Sequence, residues 1–70
     1  QIKYNLTGNS HVIMKIYDVT GAEVANLVNE NQIAGQHEVL FNGSHLSGGI
    51  YFCHIKAGNA YQVHKMTLIK

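Results

Sequence analysis

Seventy residues with five lysines, no arginine, four acids and a net charge of +1 leave room for one small domain spanning residues 1–70. They disfavour a nucleic-acid binder, which presents a basic patch and arginine forks to phosphate. An apolar fraction of 46% and a charged fraction of 13% belong to a chain that folds; at this size about 60% of the unfolded surface is buried and the stability margin is thin.

The elements read as strands separated by turn signals every eight to twelve residues, the rhythm of an all-β sandwich or barrel. Residues 2–6 place Ile2, Tyr4 and Leu6 on one face, and Thr7-Gly8-Asn9-Ser10 turns the chain. Residues 11–17 put Val12, Met14 and Ile16 on one face and Ile13, Lys15 and Tyr17 on the other. Asp18-Val19-Thr20-Gly21 is a β-turn signature: Asp accepts local backbone bonds and Gly tolerates a positive φ. Residues 22–28 are ambiguous, because Val24, Leu27 and Val28 also fit one helical turn, but a seven-residue span is too short for a stable helix and reads as a strand. Residues 29–35 read as a polar loop, and 36–42 alternate again. From Asn42-Gly43 to Gly48-Gly49 a long loop follows in which Leu46 folds back to cap the core. Residues 50–57 form the most apolar strand, read as central and without a clean solvent face. Gly58-Asn59 suits a two-residue hairpin with Gly first, after which 61–69 pairs back antiparallel.

No reaction is written in these residues. The five histidines at 11, 37, 45, 54 and 64 contain no HxH, HxxxH or CxxC spacing that presets two metal ligands on one element, so neither a metal nor a cofactor is expected. The hairpin register sets Cys53 opposite His64, a pairing that lowers a thiol pKa where an orienting carboxylate assists. None is near in sequence, and a free cysteine in an apolar strand is ordinarily core. Asp18 belongs to its turn, Glu23, Glu30 and Glu38 read as solvent-facing, and Ser47-Gly48-Gly49 lacks the GxSxG frame of a nucleophile elbow. Sugar binding is the more serious rival, with Tyr17, Phe52 and Tyr61 as the candidate exposed rings, while Tyr4, Tyr51 and Phe41 share faces with aliphatic residues. No apolar run approaches the roughly 18 residues of a membrane span, and no signal peptide is expected within these residues; if the protein is exported, its signal is expected on a preceding part of a parent chain.

Collectively, Ile2-Lys3-Tyr4, Val12 through Ile16-Tyr17-Asp18-Val19-Thr20-Gly21, Glu23-Val24, Leu27-Val28, Ala34-Gly35, His37, Val39, Phe41-Asn42, Leu46, Ser47, Gly49-Ile50-Tyr51-Phe52, Ala57-Gly58 and Lys65-Met66 through Leu68-Ile69-Lys70 resemble the type A C-terminal sorting domain of the bacterial type IX (Por) secretion system. Three departures stand out: the Pro-Asn-Pro segment usual before the first strand is missing, Phe41-Asn42 stands where Trp-Asp is common, and Cys53 stands where an aromatic is common. The resemblance implies an immunoglobulin-like sandwich of about seven antiparallel strands and a non-catalytic module at the end of a secreted cargo protein. Its implied partners are a cargo domain on the N-terminal side, the outer-membrane secretion translocon, a sortase-like transpeptidase, and cell-surface lipopolysaccharide or polysaccharide. Gly49 and Tyr51 would shape the presented strand, and Lys65 and Lys70 would offer charge to the receptor. Each also has a plain structural reading: a turn glycine, a core tyrosine and two solvated lysines. Two other functions stay open. One is a spacer similar to the immunoglobulin-like domain of flagellar hook-capping proteins; the other is a carbohydrate-binding module of a secreted glycoside hydrolase.

Overall fold

A computed structural model of the chain describes residues 2–69. Six strands form in chain order: β1 (Ile2–Leu6), β2 (Ser10–Tyr17), β3 (Glu23–Gln32), β4 (Gly35–Val39), β5 (Gly49–Ala57) and β6 (Ala60–Leu68). β2, β3, β5 and β6 make one sheet in the order β3-β2-β5-β6, and β1 and β4 make a second of two strands. Every pairing is antiparallel. The all-β expectation holds, with six strands among the described residues where about seven were expected. Every one of the six overlaps a segment read as a strand in the sequence. Residues 40–48 form no ladder because their backbone groups turn locally: Ser44 N–H donates to Asn42 Oδ1 at 3.0 Å and Leu46 N–H to the Gly43 carbonyl at 2.9 Å. Leu46 does pack against the core.

The alternation of β2 sets the core. Val12, Met14 and Ile16 are fully buried, and the register Met14↔Ile55 and Ile16↔Cys53 brings the inward face of β5 beside them. Tyr51, Cys53 and Ile55 complete that face, with Leu6 and Val28 packed on it. Two register shifts between β2 and β3, at Met14/Lys15 and Ile16/Tyr17, realign the faces of the pair.

Two boundaries differ from the sequence expectation. The strand read at 22–28 continues through the supposed polar loop to Gln32, because β3 is a sheet edge whose side chains can stay wet while its backbone pairs with β2 as far as Ser10↔Gln32. The strand read at 36–42 is shorter and ends at Val39. β5 is central, as expected, but it does have a wet face. Ile50 is 39% exposed, Lys56 is exposed, and Phe52 and His54 are half-buried. Among the described residues no second sheet covers that side.

The hairpin is as read. Ala57 pairs with Ala60 across Gly58-Asn59, and Gly58 takes φ +58° while Asn59 keeps a negative φ, the pattern of a type II′ turn. The strand it delivers, β6, is exposed from Ala60 to Lys65, and only Met66 and Leu68 are half-buried.

Removing one buried side chain tests how concentrated the core is. Met14→Ala is expected to cost about 2–5 kcal/mol, enough to shift the urea midpoint to near zero, whereas Val63→Thr on exposed β6 should stay within about 0.5 kcal/mol.

Candidate functional site

Three surfaces carry the chemistry-bearing residues, and each is set by strand register. The first is the entry to β5. Gly49 opens the strand at φ +150°, a conformation L side chains rarely adopt, with open space where a Cβ would sit. Two residues later Tyr51 is 7% exposed, and its hydroxyl donates to the Ser47 carbonyl at 2.7 Å, tying the preceding loop to the strand. Lys65 lies across the ladder from Phe52, on the outer face and exposed. Gly49 and Tyr51 are therefore neighbours, while Lys65 sits on the other side of the sheet from the Tyr51 ring. Lys70 lies outside the described residues.

The second surface is the outer face of the four-stranded sheet. Tyr17, His54 and Tyr61 form a row: the first two ring centroids are 4.5 Å apart, the next two 5.7 Å, and His54 Nδ1 is hydrogen-bonded to the Tyr61 hydroxyl. Lys15 closes one flank but is paired with Glu23 at 3.1 Å, a half-exposed ion pair of the kind worth about 0–1 kcal/mol. Of the three rings expected to be exposed, Tyr61 is 59% exposed, and Tyr17 and Phe52 are half-buried. His54 as the link was missed. Only the register, which places it diagonally between the two tyrosines, reveals it.

The third surface is an open groove of about 500 Å³ between β1 and β6. Cys53, Ile55 and Ala57 floor it, and Gln62, His64 and Met66 stand along its β6 side. Cys53 does face His64, yet His64 Nε2 bonds Gln62 Oε1 at 3.1 Å instead. Burial pushes the Cys53 thiol pKa up, the opposite of an activated nucleophile. Among the described residues, no group of three or more His, Cys, Asp or Glu side chains is placed to hold a metal ion.

Turns and edges account for the other charged and polar candidates. Asp18 Oδ1 accepts from the Thr20 hydroxyl at 2.6 Å and from the Thr20 and Ala22 amides at 2.9 and 3.1 Å. Those bonds, the Thr20 hydroxyl foremost, hold its carboxyl below the usual range. His37 donates to the Ile33 carbonyl at 2.8 Å and stacks on Tyr4. His11 sets Nδ1 at 2.8 Å from Asn31 Oδ1 and Nε2 at 2.8 Å from Asn29 Oδ1. Two carbonyl oxygens facing both ring nitrogens favour the doubly protonated imidazolium, with the Asn31 bond the larger cause, and the pKa is raised above 6.5.

Two measurements test these assignments. Tyr51→Phe is expected to lose about 0.5–1.5 kcal/mol, read by urea unfolding. For His11, a folded pKa above the unfolded value means its contribution is fully present below pH 6.5 and lost as pH rises through the folded pKa. The Tm should therefore fall across that window, and His11→Ala should flatten the fall.

Comparison with known proteins gives one result. Neither the curated proteins nor the solved structures show a significant match. The profile of the family described as secretion system C-terminal sorting domain matches residues 1–70, the whole chain. With an antiparallel all-β architecture beneath it, the chain belongs to this family of type IX sorting domains, whose members mark proteins that are secreted or attached to the cell surface.

Proposed function

We propose that residues 1–70 act as one non-catalytic module that directs a cargo domain, joined on its N-terminal side, through the type IX secretion system and onto the cell surface. The observation that carries this reading is the family match over the whole chain. The two antiparallel sheets are compatible with the immunoglobulin-like sandwich that the resemblance implies. In this reading the outer-membrane translocon reads the β5–β6 hairpin. Gly49 and Tyr51 fix the start of β5, and Lys65 and Lys70 offer positive charge. A sortase-like transpeptidase then acts on the exported protein. The chain's own residues take no part in bond breaking: its thiol is buried with a raised pKa and its Asp18 is committed to a turn.

One observation favours a second reading, contact with a cell-surface polysaccharide. The Tyr17–His54–Tyr61 row offers ring faces, with Lys56 beside Tyr61 across the ladder. Polysaccharide pull-down by the wild-type chain but not by Tyr61→Ala would support it.

The sorting role is tested with the 70 residues fused to a periplasm-targeted fluorescent protein in a bacterium with a type IX system. Wild type should bring fluorescence to the surface or medium. Lys65→Ala combined with Lys70→Ala should trap it in the periplasm while leaving the fold intact, since Lys65 is exposed. Wild-type fluorescence confined to the periplasm would sink the proposal; equal export of both proteins would remove the lysines from it.

A further inference from the structure

We propose that this chain forms a two-fold dimer in which β6 of each copy adds to the free edge of β1 in the other, sealing both grooves. This inference stands apart from the sorting role. It starts from a mismatch between the layers: the large sheet has four strands and its cover has two. Among the described residues, β1 pairs only with β4, and β6 pairs only with β5. Both therefore present an edge of unpaired backbone groups, and those two edges flank the same groove above Cys53, Ile55 and Ala57. An apolar floor beside an unpaired strand edge is satisfied at once by a further strand, which pairs with the edge and lays alternate side chains on the floor.

Strand directions identify β6 of a second copy as that strand. Three residues separate β1 from β2, too few for a parallel crossover, so β2 runs against β1. β5 runs against β2 and β6 against β5; β6 therefore also runs against β1. A two-fold axis along the strands and midway between the layers preserves strand direction while exchanging the layers. It brings each copy's cover sheet into line with the other's four-stranded sheet. Both layers then read β4-β1-β6-β5-β2-β3, with the last four strands from the partner, antiparallel throughout.

The side chains agree with this arrangement. The inward faces of the new seams, Ile2, Tyr4 and Leu6 on β1 and Gln62, His64 and Met66 on β6, carry no Lys, Asp or Glu; Lys3, which also borders the groove, alternates to the other face of β1. The edges left open in the dimer are β3 and β4, which carry Glu23, Glu30 and Glu38, the charges that protect natural edges from further pairing. β6 is nine residues long with Lys65 as its one Lys, Asp or Glu, so it lacks that protection in the monomer. The five residues of β1 and the nine of β6, at roughly 30–40 Å² each, bury about 1,000 Å² in total over the two copies, near the minimum for a specific interface; the floor adds little, because Cys53 and Ile55 are already buried.

The test is sedimentation equilibrium of the 70-residue chain from about 5 μM to about 500 μM, a range that brackets micromolar association, with hydrogen exchange of the β1 amides at both ends. The expected result is a monomer–dimer equilibrium in which the β1 amides gain protection with concentration. Gln62→Lys with His64→Lys places four lysines near the axis of the dimer but on exposed positions of the monomer. It should weaken association by at least about tenfold while leaving the circular dichroism spectrum, and the Tm at concentrations where both proteins are monomeric, unchanged. A monomer throughout the range overturns the proposal. So does a dimer indifferent to the double substitution or one without added β1 protection, since either places the contact elsewhere.

Discussion

Everything in this fold hangs on the antiparallel ladder between β2 and β5. Its six paired positions, from Val12↔Ala57 to Tyr17↔Phe52, join the two halves of the chain. They also carry the four side chains with essentially no exposure: Val12, Met14, Ile16 and Cys53. With no disulfide available, these inward faces and the partly buried residues around them supply the hydrophobic stabilisation, roughly 25 cal/mol for each Å² of apolar surface taken from water. The outer strands are held by that ladder in turn, β3 through β2 and β6 through β5. A surface displayed on β6 thus has its position fixed at the centre of the molecule rather than by its own side chains.

Polar residues follow the same economy. Buried side-chain nitrogen and oxygen atoms without a partner are absent among the described residues, because the polar groups gather at turns and edges. Asp18 closes one turn. Asn9 Oδ1 accepts from the Ala34 amide at 2.8 Å and so ties the β1–β2 turn to the β3–β4 turn. Tyr4 reaches across layers to Gln32, and desolvation there raises its pKa. These contacts dock the two-stranded cover over one part of the large sheet and leave the β6 side open.

Much of this was legible in the sequence because period-two alternation and turn chemistry are local. Val12, Met14 and Ile16 declared an inward face, Asp18 to Gly21 a turn, and Gly58-Asn59 a hairpin that fixed Cys53 opposite His64. What escaped was whatever depends on sheet membership. Asn29 to Gln32 look like loop residues until β3 is known to be an edge, where polar side chains carry no desolvation penalty. The outer face of β5 showed no clean polar alternation because Ile50 and Phe52 are apolar, and the missing cover on that side explains why Ile50 is exposed and Phe52 only half-buried. The Tyr17–His54–Tyr61 row and the groove beside β1 likewise arise from register and layer stacking, which no single segment encodes. The family was legible for a different reason, since its pattern is spread over the whole chain and its order survives local substitutions such as Cys53.

The tight Gly58-Asn59 turn has a consequence for the order in which the molecule assembles. β5 and β6 meet across two residues, and β2 and β3 across five, so both hairpins form by closing small loops in microseconds. The β2–β5 ladder joins segments far apart in the chain, as Val12↔Ala57 illustrates, and must meet its loop-closure entropy before its contacts reward it. The slow event is therefore the docking of two preformed hairpins. Until it happens Met14, Ile16 and Cys53 remain wet, and the chain has pairing partners but no core.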